Sequence, residues 1–256
     1  MSTGIQLLTQ IAPEFGGVCT QSSDTAGVLD LPIRLVDGRT IPFILQIWEV
    51  AGSVSVRESS THLPPFCPER HINSDGTFCL NYSPAYSLEV LDECTARAWM
   101  ETLYKFLKLQ ERARVLRRWP NSDGWAHGDA AHHQRRAETA LASLGGKWGI
   151  SQNSLTVRSR VSKGRALLEL FSGNNCMYRV WESSRKVVNQ RRRCFCEAFG
   201  RRRPKTIKKC SDHAAQAAEL VFALRDWIVS EKQYWDTMRG KSCCGTCDAC
   251  PLQSNY

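Results

Sequence analysis

The segment "ERHINSDGTFCLN", Glu69 to Asn81, places a cysteine directly after a turn. Ser74 to Thr77 reads Ser-Asp-Gly-Thr, a strong turn signal, and Cys79 follows inside a short apolar run. His71 lies eight positions before Cys79. Three roles fit such a cysteine: a buried structural thiol, a metal ligand, or a nucleophile that the loop presents to a partner.

The sequence before this segment indicates strands. "VLDLPIRLV" and "RTIPFILQIWEV" flank Asp37-Gly38, which predicts a β-hairpin, and "SVSVRESS" alternates like a further strand. The prolines of "STHLPPFCPERH" exclude regular structure. The sequence therefore predicts a small antiparallel sheet that leads into a proline-rich loop.

Helical periodicity dominates the sequence after Cys79. Residues 87–119 predict one long amphipathic helix that Pro120 ends, and residues 129–144 predict a second. A short leading helix is expected over "GIQLLTQIAPEF". Strands, then a loop, then helices indicate an α+β fold.

This order and the segment "INSDGTFCL", Ile72 to Leu80, resemble the ubiquitin-conjugating enzymes. Their signature sets a His-Pro-Asn triplet before a stretch like INSxGxxCL, and its cysteine carries ubiquitin as a thioester. The resemblance covers roughly residues 4–146 and implies an antiparallel meander with C-terminal helices. The triplet departs from the pattern, because His71 stands in the asparagine's place. That replacement resembles a divergent bacterial branch found with ubiquitin-like proteins, activating enzymes and JAB-type peptidases in antiviral operons.

Cys79 and His71 are the candidate catalytic pair. Acyl transfer to an amine needs a nucleophile that is also a good leaving group, and a thiolate serves as both. For His71 the alternatives are an oxyanion donor, a base for the attacking amine, or a residue that caps the loop through backbone hydrogen bonds. His127 is a further candidate acid/base or substrate-path residue, or part of a surface turn. Cys67 is expected to be a structural thiol.

The resemblance implies an enzyme that carries a ubiquitin-like protein on Cys79 and transfers it to a target amine. Its partners would be that modifier, an activating enzyme, a target protein and the operon's JAB-family peptidase. Two alternatives stay open: an inactive scaffold that binds protein or nucleic acid, and a cysteine hydrolase using Cys79 with a histidine. The chain lacks a long apolar run and a signal-peptide pattern, so we expect a cytoplasmic protein with reduced thiols and no membrane contact.

Charge and cysteine content divide the chain. Residues 1–150 hold 14 basic and 16 acidic side chains, whereas residues 151–256 hold 20 and 9, and eight of the twelve cysteines follow position 170. We therefore expect a catalytic domain over 1–146 and a small helical, basic, metal-binding domain over 155–256. The arginines around Cys194 favour protein docking, with nucleic acid as the second alternative.

Two cysteine clusters predict metal sites in the basic half. The first resembles a small SEC-C-like zinc module, because soft sulfur and imidazole ligands at close spacing suit zinc; it comprises Cys194, Cys196, Cys210 and His213. The second suits zinc, an iron–sulfur cluster or a redox-active tail, with Cys176 as a candidate distant ligand; it comprises Cys243, Cys244, Cys247 and Cys250.

Overall fold

The computed structural model describes seven stretches of the chain, residues 2–82, 87–120, 126–144, 155–194, 206–210, 212–248 and 250–255. The chain forms two compact units. The first comprises Met1–Asn121 together with Met238–Tyr256, and the second comprises Ser122–Thr237. Each unit contains an antiparallel sheet and helices, which confirms the predicted α+β class. No helix in the described stretches is long and apolar enough to cross a membrane.

The first unit is a four-stranded meander with one helix before it and one after it. Its elements are α1 Gly4–Ile11, β1 Val18–Ser23, β2 Ala26–Arg34, β3 Thr40–Val50, β4 Ser53–Glu58 and α2 Glu93–Leu116. The strands pair in chain order, β1-β2-β3-β4. The hairpin predicted at Asp37-Gly38 joins β2 to β3, where Arg34 pairs with Thr40.

Alternating side chains of this meander build the core of the first unit. The buried inner face of β2 and β3 comprises Leu29, Leu31, Ile33, Phe43, Leu45 and Ile47. On α2, Trp99 and Leu103 are fully buried, and the Trp99 indole donates to the Val54 carbonyl of β4 at 3.2 Å. Each fully buried side chain of this size stabilises the fold by about 1.5–3 kcal/mol.

Helix α2 begins and ends at capping residues. The amide of Thr95 donates to the Asp92 carboxylate at 2.8 Å, which satisfies one of the exposed amides of the first turn. The last turn stops at Leu116, where Arg117 takes a left-handed conformation with φ 52°. The helix therefore ends before Pro120, the residue predicted to terminate it.

The second unit is also a mixed structure. Its elements are α3 Ala130–Ser143, β5 Leu155–Ser162, β6 Arg165–Ser172, β7 Asn175–Trp181, β8 Lys186–Val187 and α4 His213–Thr237. The four strands pair in chain order. The expectation of a small helical domain is thus corrected, because a sheet accompanies the helices. The strand β5 does show the alternation typical of a strand, since Leu155, Val157 and Val161 alternate with polar side chains.

The boundary between the units lies earlier than the sequence indicated. Ala137 and Leu141 of α3 join the core formed by Leu168, Val180 and Val221, so α3 belongs to the second unit. The final 19 residues, Met238–Tyr256, belong to the first unit instead. The compact units therefore have other bounds than the expected domains 1–146 and 155–256: α3 falls in the second unit and the tail falls in the first.

Candidate active site and metal centre

The turn before Cys79 is fixed by its own side chains. The amide of Asn73 donates to the Thr77 carbonyl at 2.8 Å, and the Thr77 amide and hydroxyl donate to the Asp75 carboxylate at 3.0 and 2.6 Å. These bonds from Thr77 hold the pKa of the Asp75 carboxyl below its usual value. Gly76 has φ 80°, a conformation that side chains with a Cβ rarely adopt. The turn therefore needs glycine at this position.

Pairing with β4 holds the turn against the first unit. Phe78 donates its amide to the Val56 carbonyl at 2.9 Å, and Thr77 bridges to Arg57. The buried Phe78 ring lies 4.9 Å from the ring of Phe106 on α2. This anchoring places the next residue, Cys79, at a defined position on the surface.

Cys79 is exposed, and its sulfur donates to the Asn81 carbonyl at 3.8 Å. Although the residue as a whole is exposed, the protein around its sulfur removes enough water to raise the pKa of the Cys79 thiol. The residue is thus exposed at the surface, and the raised pKa disfavours its thiolate form.

His71 is bound to Cys79 through the backbone. The Cys79 amide donates to the His71 carbonyl at 2.9 Å, which continues the pairing of Ile72 with Phe78 by one residue. His71 itself ends the short helix Pro68–Arg70 in a left-handed conformation, φ 56° and ψ 40°. Its ring packs edge-on against Trp119 at 5.1 Å. The structure therefore brings the two predicted catalytic residues to neighbouring positions.

Arg70 is a site residue that the sequence analysis missed. Its side chain is only 1% exposed. Its guanidinium donates to the side-chain oxygen and the carbonyl of Gln110 at 2.8 and 3.0 Å, and Gln110 returns a bond to the Arg70 carbonyl at 2.6 Å. The turn before His71 is thus bound to α2. Arg70 is the middle residue of the triplet, between Glu69 and His71, but its burial could not be read from the sequence.

His127 lies in the second unit. Its Nδ1 is 2.6 Å from the Glu231 carboxylate, and its ring stacks on Tyr234 at 4.9 Å. Burial acts to raise the pKa of Glu231, but the bonds and charge of His127 outweigh it and hold that pKa below the usual value. Trp125, two positions before His127, lies outside the described residues.

Three of the four residues predicted as the first metal site come together. The ligand atoms of Cys194, Cys210 and His213 all lie within 4.8 Å of one another. The Nδ1 of His213 is 3.2 Å from the Cys194 sulfur and 3.1 Å from the Cys210 sulfur. Cys196 lies outside the described residues. Two buried thiols and an imidazole form a donor set that suits zinc.

The tail cysteines lie against the first unit. The sulfur of Cys244 is 2.9 Å from that of Cys67, and Cys247 also shares a side-chain hydrogen bond with Cys67. Hydrogen bonds from Cys67 lower the pKa of the Cys244 and Cys247 thiols, whereas they raise the pKa of Cys67. Cys67 was expected to be an isolated structural thiol; the structure instead surrounds it with cysteines about 180 residues away in the chain.

Two further cysteines that the sequence marks as possible metal ligands, Cys176 and Cys250, lie in the described part of the chain. Cys176, the candidate distant ligand, lies on β7, where its sulfur donates to the Tyr178 carbonyl at 4.0 Å. Cys250 is buried and shares a side-chain hydrogen bond with Cys243. Of the arginines around Cys194, those at positions 201–203 lie outside the described residues.

Two family models match the chain. One, described as "Prokaryotic E2 domain", matches residues 15–121. The other, described as "Cysteine-rich domain, C-terminal to E2 domain", matches residues 126–252. No curated protein and no solved structure matches the chain. The chain therefore belongs among the proteins that combine a prokaryotic E2 domain with a cysteine-rich domain C-terminal to it.

Proposed function

We propose that this protein is a conjugating enzyme that carries a ubiquitin-like protein as a thioester on Cys79 and passes it to an amine of a target protein. The exposed thiol of Cys79, at the end of a turn anchored to β4 and α2, is the observation that carries the proposal. A structural cysteine would be expected inside the core, as Cys67 is.

Loading exchanges one thioester for another. The Cys79 thiolate attacks the C-terminal carbonyl of the modifier, the tetrahedral intermediate collapses, and the thiolate of the activating enzyme leaves. The raised pKa of Cys79 leaves a small thiolate fraction, but a thiolate of higher pKa is the stronger nucleophile. Exposure matters most at this step, because two proteins must bring their cysteines together.

Discharge transfers the acyl group from sulfur to nitrogen. The target amine attacks the thioester carbonyl, the C–S bond breaks, and the amine gives up a proton. His71 is paired with Cys79 through the backbone, and we assign its imidazole the acceptance of that proton. Its contact with Trp119 and its carbonyl bond to the Cys79 amide fix its position for this role.

The residues around His213 fit a structural zinc ion. Cys194 and Cys210 are buried, and both sulfurs contact the same imidazole nitrogen. Bound there with Cys196, zinc would stabilise the second unit by joining the end of the β-sheet region to the start of α4.

The second unit would supply the docking surface for partners, which we take to be the modifier, its activating enzyme and the target, in a bacterial antiviral conjugation system. Several of its arginines are already paired internally. Arg179 bonds to Glu169 at 2.7 Å, and Arg136 and Arg185 both bond to Glu219. These arginines contribute to the fold, which leaves less positive charge for nucleic acid than the composition indicated.

A charging assay tests the proposal. The full chain is incubated with ATP, a bacterial ubiquitin-like protein and the activating enzyme of that modifier. We expect an adduct that a thiol reductant cleaves and that Cys79→Ala abolishes. Cys94→Ala is the matched control, because Cys94 is a second exposed cysteine of the same unit and should charge normally after replacement. A Cys79→Ala variant that still charges would place the thioester on another residue, whereas a native chain that never charges would favour the scaffold alternative.

A further inference from the structure

A second group of cysteines converges in the first unit. Cys67, in the loop before the candidate active site, is 1% exposed, and Cys247 in the tail is equally buried. The Cys67 sulfur lies 2.9 Å from that of Cys244 and shares a hydrogen bond with that of Cys247. Buried Cys250 follows three residues later. Two distant parts of the sequence thus deliver sulfurs to one place.

The tail holds two of these sulfurs in a short turn. Cys244-Gly245-Thr246-Cys247 has the Cys-x-x-Cys spacing that positions two thiolates on one metal ion. Gly245 has φ 70°, which only glycine adopts readily, and its amide donates to the Cys243 sulfur at 3.4 Å. The backbone geometry of the turn therefore suits a metal-binding turn.

Polar contacts hold this turn in place within the first unit, to which it belongs. Arg117, at the end of α2, donates from its guanidinium to the Gly245 carbonyl at 3.0 Å, and its own carbonyl accepts from the Asp248 amide at 2.8 Å. Arg70 donates to the Thr246 hydroxyl at 3.2 Å. The turn is thus held at both ends beside Cys67.

Charge supplies an independent argument. Arg70 is buried, and within the described part of the chain no carboxylate lies in ion-pair distance of it. A buried cation without a negative partner is strongly unfavourable. A divalent ion bound by four thiolates keeps a net negative charge, and Arg70 contacts the turn that carries two of those thiolates. The thiolate group would therefore provide the missing counter-charge.

We propose that Cys67, Cys244 and Cys247 are ligands of a zinc ion in the first unit, with Cys250 as the fourth ligand. This site is distinct from the Cys194 cluster of the second unit. It would tie the tail to the loop that leads to Cys79, because Cys67 exchanges two backbone bonds with Ile72, at 3.1 and 3.0 Å. The proposal concerns metal binding alone and does not depend on thioester transfer.

Zinc content of the full-length chain tests the site. We expect about two zinc ions per chain in the native protein, about one after Cys67→Ser, about one after Cys194→Ser, and none after both. Cys19→Ser is the matched control, because Cys19 is another buried cysteine of the first unit and should leave zinc unchanged. A Cys67→Ser variant with native zinc content overturns the proposal.

Labelling of the unmodified protein gives a test that needs no variant. The chain is treated with iodoacetamide before and after removal of metal by a chelator, and labelled peptides are mapped by mass spectrometry. We expect Cys67 and Cys244 to be protected before chelation and labelled together after it. If chelation changes the labelling of Cys244 but not that of Cys67, the proposal is overturned. A Cys67–Cys244 disulfide in protein that contains no zinc also overturns it.

Discussion

Replacement of Gln110 by leucine should loosen the turn before the candidate active site. The Gln110 side chain accepts from the Arg70 guanidinium at 2.8 Å and donates to the Arg70 carbonyl at 2.6 Å, and Gln110→Leu removes both bonds. Loss of a bond to a charged group costs about 1.5–3 kcal/mol, and a buried carbonyl left without a donor costs about 1–3 kcal/mol. The bond from Arg70 to the Gln110 carbonyl survives. We expect the unfolding free energy of the first unit to fall by about 3–5 kcal/mol.

Hydrogen–deuterium exchange of α2 peptides across a urea series measures this free energy for the first unit by itself. Gln21→Leu makes the same change at an exposed position of β1 and should stay within about 0.5 kcal/mol of the native protein. The double variant Arg70→Met with Gln110→Leu should cost less than the sum of the two single variants, because that sum counts the loss of the bond between the two side chains twice. A Gln110→Leu variant within about 1 kcal/mol of the native protein would refute the reasoning.

Three further predictions concern the candidate catalytic residues and the metal. Alkylation of Cys79 by iodoacetamide should keep accelerating with pH past about 8.5, the pKa of an ordinary free thiol, because burial raises its pKa and disfavours the thiolate; a rate that levels off at lower pH contradicts this. His71→Asn keeps a residue that tolerates the left-handed backbone conformation but removes the base. Discharge to free lysine should therefore slow about 10²-fold, while loading is largely retained. Normal discharge by His71→Ala would exclude a catalytic role for His71. Chelation should unfold the second unit, as should Cys194→Ser, and circular dichroism that does not change would oppose a structural metal there.

The features predicted correctly are those that local sequence determines. Asp37-Gly38 between apolar runs fixes a hairpin, and helical spacing of apolar residues fixes α2. The turn before Cys79 could also be predicted, because Asp75 and Thr77 form it through their mutual hydrogen bond and Gly76 supplies the positive φ. These signals depend on neighbours in the chain, so one sequence is enough to read them.

The features missed depend on distant contacts. Cys67 gains its role only because Cys244, 177 residues later, folds back beside it. On α4, Ile228 continues the helical spacing of Val221 and Leu224 but is 48% exposed, because the core of the second unit ends at Trp227. Tertiary packing decides each of these, and helical spacing alone does not.

The most direct test of the proposed activity is to locate the modifier on the protein. The charged full-length chain is digested without reductant, and the peptide that carries the modifier's C-terminus is identified by mass spectrometry. The account predicts a thioester at Cys79, released by dithiothreitol and replaced by a stable oxyester or nothing in Cys79→Ser. A linkage at any other residue, or a reductant-resistant bond in the native protein, would contradict it.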